Sequence, residues 1–385
     1  MTGQQLLEAA KGLAPAIEAE RVEMDRERRI TPSLLQGLTD VGMFRLLVPR
    51  SLGGYELSLE EFVLVIEELA KADGSVAFCL AHACGASSVA GFLPEHVARQ
   101  VFDGPGANVA NGPGQGGRAV HVDGGFRVTG QWGFASGSHH ATWLGGGVTT
   151  YDKDGQVLRR EDASPEQYFF VWPAKDATLT DIWDTIGLRG TGSDLISVDD
   201  LFVPSERAVP VPRRSPREKG PLYLIPQQTM YGTAFAAVGM GLARGALDGF
   251  NGVAGRTGRN QIVAMRDNRA VQAEIGLAEA ELLACRSGLF EAVRRAWEGA
   301  GHRGELNMDE RAALRLATTY GIRKSATIVD TIYHLTGGAA VFTKDPLGQR
   351  FRDAHALTQQ MQGRSDHYQT VGAYLLGLET ESEFL

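Results

Sequence analysis

Cysteine is scarce in this 385-residue chain, and the scarcity excludes two classes of protein at once. Cys79, Cys84 and Cys285 are too few for a disulfide framework. No neighbouring His or Cys completes a metal site around Cys79 and Cys84, so no metal is expected. The three read as small buried hydrophobes of a reducing cytoplasm. Basic excess is also lacking. With 38 Lys and Arg against 46 Asp and Glu, the net charge is −8, and no basic stripe offers a surface to nucleic acid. No run of about 18 apolar residues reads as a membrane span. Met1 to Arg21 lacks the charged-then-apolar layout of a signal peptide, so a cytoplasmic protein without a membrane partner is expected. Internal repeats and low-complexity segments are missing too.

What is present is an ordinary globular composition, 43% apolar and 22% charged, in a chain long enough to divide into subdomains. Residues 1–106 read as helical. Thr31-Pro32 looks like an N-cap followed by proline at the first helical position, and Ser58 and Glu61 have capping-box spacing. Phe62, Ile66 and Leu69 then share one helix face. Residues 107–215 are glycine-rich, and their apolar period falls towards two. Phe126 and Val128 alternate with Arg127 and Thr129 after the turn Asp123-Gly124-Gly125. Tyr168–Trp172 and Ile196–Val203 read as further strands of a small antiparallel barrel or sandwich. Residues 210–222, rich in Pro and Arg, look like an exposed linker. Residues 216–385 return to helix. Val271, Ile275, Ala278, Leu282, Cys285, Leu289 and Val293 form a stripe that asks for partner helices, as in a four-helix bundle. The fold class is α+β, a β domain between two helical ones.

Three motifs carry a resemblance over nearly the whole chain. They are Val41-Gly42-Met43-Phe44-Arg45-Leu46-Leu47-Val48-Pro49 with Gly53-Gly54, then Gly192-Ser193-Asp194-Leu195 running to Phe202-Val203-Pro204, and finally Thr336-Gly337-Gly338 with Arg350-Phe351-Arg352-Asp353-Ala354. In this order they resemble the signatures of the acyl-CoA dehydrogenase superfamily and imply its fold. Trp132-Gly133-Phe134-Ala135-Ser136-Gly137-Ser138-His139-His140-Ala141-Thr142-Trp143 resembles a segment of the family's two-component flavin monooxygenases. That branch takes reduced FMN or FAD from a separate reductase, combines it with O2 and transfers one oxygen atom to a small substrate.

Dehydrogenases of the family need a carboxylate to remove a proton from carbon. Counting from Arg352, the place where some members carry it holds Gln362, which is neutral. Other members carry the base on a different helix, so a dehydrogenase or oxidase with a relocated base stays open, as does a catalytically silent scaffold. Phenol hydroxylases of the branch place a histidine where Gln360 stands. His355, Asp366 or His367 takes that role, or the chemistry needs no such base, as with an amine or thioether that is nucleophilic already; the substrate expected is small and aromatic or heteroatom-containing, and oxygenation of nitrogen or sulfur stays open beside that of carbon.

The resemblance places Trp132, Phe134 and Ser136 over the flavin, with Asn111 on a neighbouring loop and His82 towards the substrate. Each has a plain structural alternative: strand core, an Asn-Gly turn, a helical histidine. Gly337 and Gly338 allow a phosphate to approach closely, or simply end a helix. Arg256 and Gln272 match the family's grip on the cofactor from a neighbouring subunit, but the Phe-Gly pair of that motif is lost, which favours FMN or loosely held FAD. The apolar stripe and the resemblance together imply a homotetramer.

Overall fold

The computed structural model describes residues 1–213, 215–255 and 263–380. Five helices come first: α1 (Gly3–Glu27), α2 (Pro32–Asp40), α3 (Leu59–Ala72), α4 (Gly74–Ser87) and α5 (Glu95–Val101). Eight strands follow: β1 (Val109–Asn111), β2 (Gly117–Val122), β3 (Gly125–Ala135), β4 (Trp143–Tyr151), β5 (Gln167–Pro173), β6 (Thr178–Thr180), β7 (Asp194–Pro204) and β8 (Ala208–Pro210). The chain then returns to helix in α6 (Gln227–Val253), α7 (Arg269–Arg303), α8 (Met308–Thr336), α9 (Pro346–Thr358) and α10 (His367–Leu375).

Local signals account for many element boundaries. At the start of α3 the capping box forms: Ser58 Oγ accepts from Glu61 N at 3.3 Å while Ser58 N donates to Glu61 Oε2 at 3.0 Å, an arrangement worth about 1 kcal/mol. Thr31 does precede Pro32 at the start of α2, but its hydroxyl donates to Glu20 of α1 instead of capping its own helix. On α7 the stripe is inward-facing, with Ala278, Leu282, Cys285, Leu289 and Val293 buried and Val271 and Ile275 packed against the same core. α6 lies at the centre, against α3, α4, α8 and α9. The stretch Gly74–Gly91 is long and apolar enough to cross a membrane by length and composition, yet every residue of it is buried among other elements. All three cysteines are buried and unpaired.

The sheet runs β6-β7-β3-β2-β4-β5-β8, with β1 beside β4. It is not purely antiparallel. β4 crosses back after the β2–β3 hairpin and runs parallel to both β1 and β2. The glycine frequency has a cause here. A Cβ at Gly117, Gly130 or Gly146 would stand 2.4–2.6 Å from the Trp132 indole, so glycine is what lets that ring fill the barrel interior. The expectation of an exposed linker over 210–222 is corrected as well. Arg217 N donates to Gly91 O at 2.7 Å and its side chain to Leu93 O at 3.2 Å, while Leu222 and Tyr223 are buried. Arginine side chains that find carbonyls turn a polar stretch into a fixed one.

A buried polar junction joins the three parts of the chain. Asp73 caps α4 through Val76 N at 3.0 Å and accepts from Gln349 Nε2 at 3.0 Å; Gln349 Oε1 in turn accepts from Arg21 Nη1 at 2.7 Å. Asp353 accepts from Leu188 N, in the loop before β7, at 2.6 Å. Burial, reinforced by the charge of Asp73, raises the Asp353 carboxyl to about 8. The folded chain therefore holds a proton that the unfolded chain releases near pH 4, so stability declines as pH rises from about 4 to about 8. Asp353→Asn keeps an oxygen for Leu188 N and removes the ionisation. Its thermal midpoint is expected to fall less than that of the wild type between pH 5 and pH 8; parallel curves would show that Asp353 does not carry the dependence.

Candidate active site

His82 lies on α4, every residue of which is buried. Its imidazole stacks on Tyr231 of α6, with ring centroids 5.5 Å apart and planes 12° from parallel. Tyr231 stacks in turn on Phe235 at 5.7 Å, and Phe235 on Phe78 at 4.3 Å. Burial, opposed by hydrogen bonding to the backbones of Asn111 and Ser136, lowers the His82 pKa to about 4. The ring is neutral near pH 7, and its Nδ1 is buried without a partner. The Tyr231 hydroxyl donates to Asn111 Oδ1 at 3.2 Å and accepts from Gln227 Nε2 at 3.2 Å. Asn111 is thus held by the pocket wall and does not act only as a turn residue.

On the sheet side, strict alternation would put Trp132 and Phe134 on one face. A bulge between Trp132 and Ala135 breaks it, with Phe134 at φ 58°. Trp132 stays sealed in the barrel, 1% exposed, its Nε1 donating to Gly147 O at 2.9 Å. Phe134 turns outward, 63% exposed, edge-on to Trp183 at 5.8 Å. Of the two aromatic rings expected over the flavin, Phe134 alone presents an open face. Ser136 is buried, its Oγ 2.6 Å from Ser193 Oγ, which lies 2.7 Å from Thr191 Oγ1. His139 bridges to Asp194 at 2.7 Å, and the half-buried His140 has its pKa pulled down to about 4 by desolvation. Sequence reasoning missed Ser193, inside the second signature, as the partner of Ser136, and Thr191, just before that signature, as the partner of Ser193.

The C-terminal candidates form a second group. Gln362 is buried, its Oε1 accepting from Arg315 Nη1 and its Nε2 donating to Gln228 Oε1 at 2.8 Å. Gln360 Oε1 accepts from Gln362 N at 2.8 Å, and its Nε2 is buried without a partner. His367 is buried and donates Nε2–H to Met361 O at 2.8 Å; burial lowers its pKa. Asp366 is half-buried and ion-paired with Arg364, and His355 bonds to Asp330 at 2.8 Å. Gln228 and Tyr231, three residues apart on α6, connect the Gln362 group with the His82 group.

The remaining candidates lie apart. Gln272 is exposed at the start of α7 and donates to Arg266 O at 2.9 Å. Gly337, at φ 67° and ψ −147°, ends α8 in a conformation that only glycine adopts readily, and a Cβ at Gly337 or Gly338 would meet nothing within 4 Å. Arg256 lies outside the described residues. Among the described residues no three His, Cys, Asp or Glu side chains group to hold a metal ion.

The residues present suit a flat, partly apolar cofactor beside β3. An exposed aromatic ring stands next to buried hydroxyls, and an unpartnered imidazole nitrogen lies across from them. Comparison with known proteins agrees. Family models described as acyl-CoA dehydrogenase, N-terminal domain and C-terminal domain match residues 4–100 and 233–362. An indole-3-acetate monooxygenase of Pseudomonas putida is 30% identical over 356 residues, covering 92% of this chain and 89% of that one. The oxygenase component of an FADH2-dependent resorcinol hydroxylase from Rhizobium sp. is 26% identical, covering 99% and 96%. The structure of XiaF from Streptomyces sp., in complex with FADH2 and glycerol, superposes with a TM-score of 0.91 at 24% identity, covering 98% and 96%. The chain belongs to the acyl-CoA dehydrogenase family and, within it, to the flavin-dependent monooxygenases.

Proposed function

We propose that this enzyme oxygenates an electron-rich aromatic compound bearing an O–H or N–H donor, with reduced FMN or FAD supplied by a separate reductase. The observation that carries this reading is the His82 Nδ1, buried, neutral and unpartnered beside Tyr231. When bound, reduced flavin supplies the electrons that, with O2, put one oxygen atom into the substrate and release the other as water. Phe134 would lie against it, with Ser136 and the Asn111 backbone at its edge and Trp132 bracing the strand from behind. Gly337, Gly338, Arg256 and Gln272 would serve a neighbouring subunit's cofactor.

His82 accepts a hydrogen bond and does not strip the proton. A phenol with pKa near 10 lies roughly six units above a base of pKa about 4, so full transfer is strongly uphill. The donor is therefore oriented, and the ring reacts through its own electron density. Such a reading suits indole as well as phenol, in keeping with a relative named for indole-3-acetate. Gln362 has no role as a base. Arg315 and Gln228 hold its amide in one orientation, which shapes the pocket and keeps water out.

We further propose a cytoplasmic homotetramer with the division 1–106, 107–215 and 216–385. Exposed Leu277 and Leu283 on α7, Val341 and Phe342 after α8, and Leu375 and Leu376 at the end of α10 are large apolar side chains that subunit contacts would cover.

The decisive experiment titrates the purified protein anaerobically with reduced FMN and reduced FAD, then admits O2. A transient near-ultraviolet band and an oxygenated aromatic product are expected. Tightly held yellow FAD bleached by an acyl-CoA would overturn the reading in favour of a dehydrogenase, and no affinity for either flavin would favour a scaffold.

A further inference from the structure

We propose that Arg213 is the anchor for a carboxylate on the substrate, which makes the substrate class an aromatic acid. The proposal rests on the oxygenase reading above and adds what the far end of the pocket recognises.

Arg213 follows β8 in the stretch that sequence patterning marks as linker. Its Nη1 donates to Ser88 Oγ at 3.0 Å, while Phe92 and Phe169 flank the guanidinium at 5.6 and 5.2 Å. Its Nη2 is sealed from solvent without an acceptor. Among the described residues no carboxylate pairs with it, and the titratable group whose field it feels is Tyr231. Burial lowers its pKa only to about 10, so it stays charged at neutral pH. A cation whose free donor nitrogen is sealed from solvent is costly unless something fills the gap.

The buried arginines elsewhere in the chain show the usual solutions. Arg45 donates to the carbonyls of Phe102, Gly104 and Leu52, and Arg21 is met by Gln349 and the Lys344 carbonyl. Arg315 also lacks a carboxylate, and the nitrogen it leaves unpartnered is Nε, with Nη1 engaged by Gln362. Arg213 keeps a terminal nitrogen open, the geometry in which a guanidinium takes a carboxylate oxygen.

The position connects it to the pocket. Ser88 Oγ donates to Gly85 O at 2.7 Å, and Gln227 Nε2 reaches that same carbonyl at 3.3 Å as well as the Tyr231 hydroxyl at 3.2 Å. Arg213 is thus tied to Ser88, just past the end of the helix that carries His82, and lies close enough to Tyr231, on which His82 stacks, to feel its field. An aromatic ring with a short acid side chain would place its donor on His82 and its acid on Arg213.

The test measures binding apart from turnover. Equilibrium dialysis of the full-length protein with indole-3-acetate, indole-3-acetamide, 4-hydroxyphenylacetate and 4-hydroxyphenylacetamide compares each acid with its neutral amide. The wild type is expected to favour at least one acid over its amide by about 10- to 100-fold, the value of a charge-assisted pair. Arg213→Gln should erase that preference while amide binding stays within about threefold, which also reports an intact fold; Arg213→Lys should restore part of it. An acid preference that survives in Arg213→Gln, or wild-type protein with no acid preference, overturns the proposal. Oxygenation of a neutral indole without any acid preference would remove the anchor and leave the oxygenase reading standing. Acid-selective binding without oxygenation by reduced FMN or FAD would do the reverse.

Discussion

Replacing His82 with alanine is expected to lower kcat/KM for oxygenation by about 100-fold while leaving reduced-flavin affinity within about threefold. Nδ1 is the open acceptor on the pocket wall, held by stacking on Tyr231 and by the backbones of Asn111 and Ser136, so its loss removes orientation from the substrate and not from the cofactor. His82→Asn, which keeps an acceptor, should recover part of the rate. The pH profile provides an independent readout. With its pKa lowered to about 4 by burial, His82 stays neutral across the working range, so the acid limb should be absent between pH 5.5 and 8. A limb near 6.5 would show a solvent-exposed histidine and sink this assignment. The same depression has a stability consequence. Its folded pKa lies below its unfolded value, so stability is lost as pH falls from about 6.5 towards 4. Single-turnover rates with pre-reduced flavin and thermal midpoints over pH 4–8 check both statements.

Trp132→Ala is expected to cost about 3–5 kcal/mol, the largest stability effect among the residues of β3. The ring is 1% exposed, and Gly117, Gly130 and Gly146, which pack directly on it, have no side chain to relax into the space. Truncation also leaves Gly147 O without its donor. Trp132→Phe loses the same hydrogen bond but keeps most of the volume, so it should cost less than half as much and bind reduced flavin within a few-fold of wild type. Urea unfolding followed by circular dichroism, with flavin titration alongside, separates the outcomes. Near-normal stability of Trp132→Ala with flavin affinity lost would return Trp132 to a cofactor-covering role.

These two residues also show how far the sequence could be read. The order of helices, sheet and helices was legible because capping boxes, a period-two zone and the α7 stripe are local signals. The signatures placed Ser136 and Gln362 where the fold buries them. Phe134 was legible as a strand residue but not as an outward one, because a bulge reverses the alternation and bulges leave little trace in residue type. His82 has no helical face to be read from, since α4 is buried all round. Tyr231 and Gln228 were missed for the same reason: α6 is apolar and small-residue-rich, and only its packing shows which turn faces the pocket. Arg213 was hidden by composition. A Pro- and Arg-rich stretch reads as solvent-loving until the partners of its arginines are known.

The junction at Asp353 bears on how such chains can be recombined. Leu188 belongs by position to the sheet half, yet its amide is held by α9, and Asp353 shares its burial with the cap of the helix that carries His82. A chimera that exchanged the sheet for a relative's would bring its own version of the 181–191 loop to a foreign α9. The natural unit of exchange is therefore not the sheet as it appears along the chain. It is the sheet without that loop, which would have to be inherited together with the C-terminal helices if the pocket helix is to keep its place.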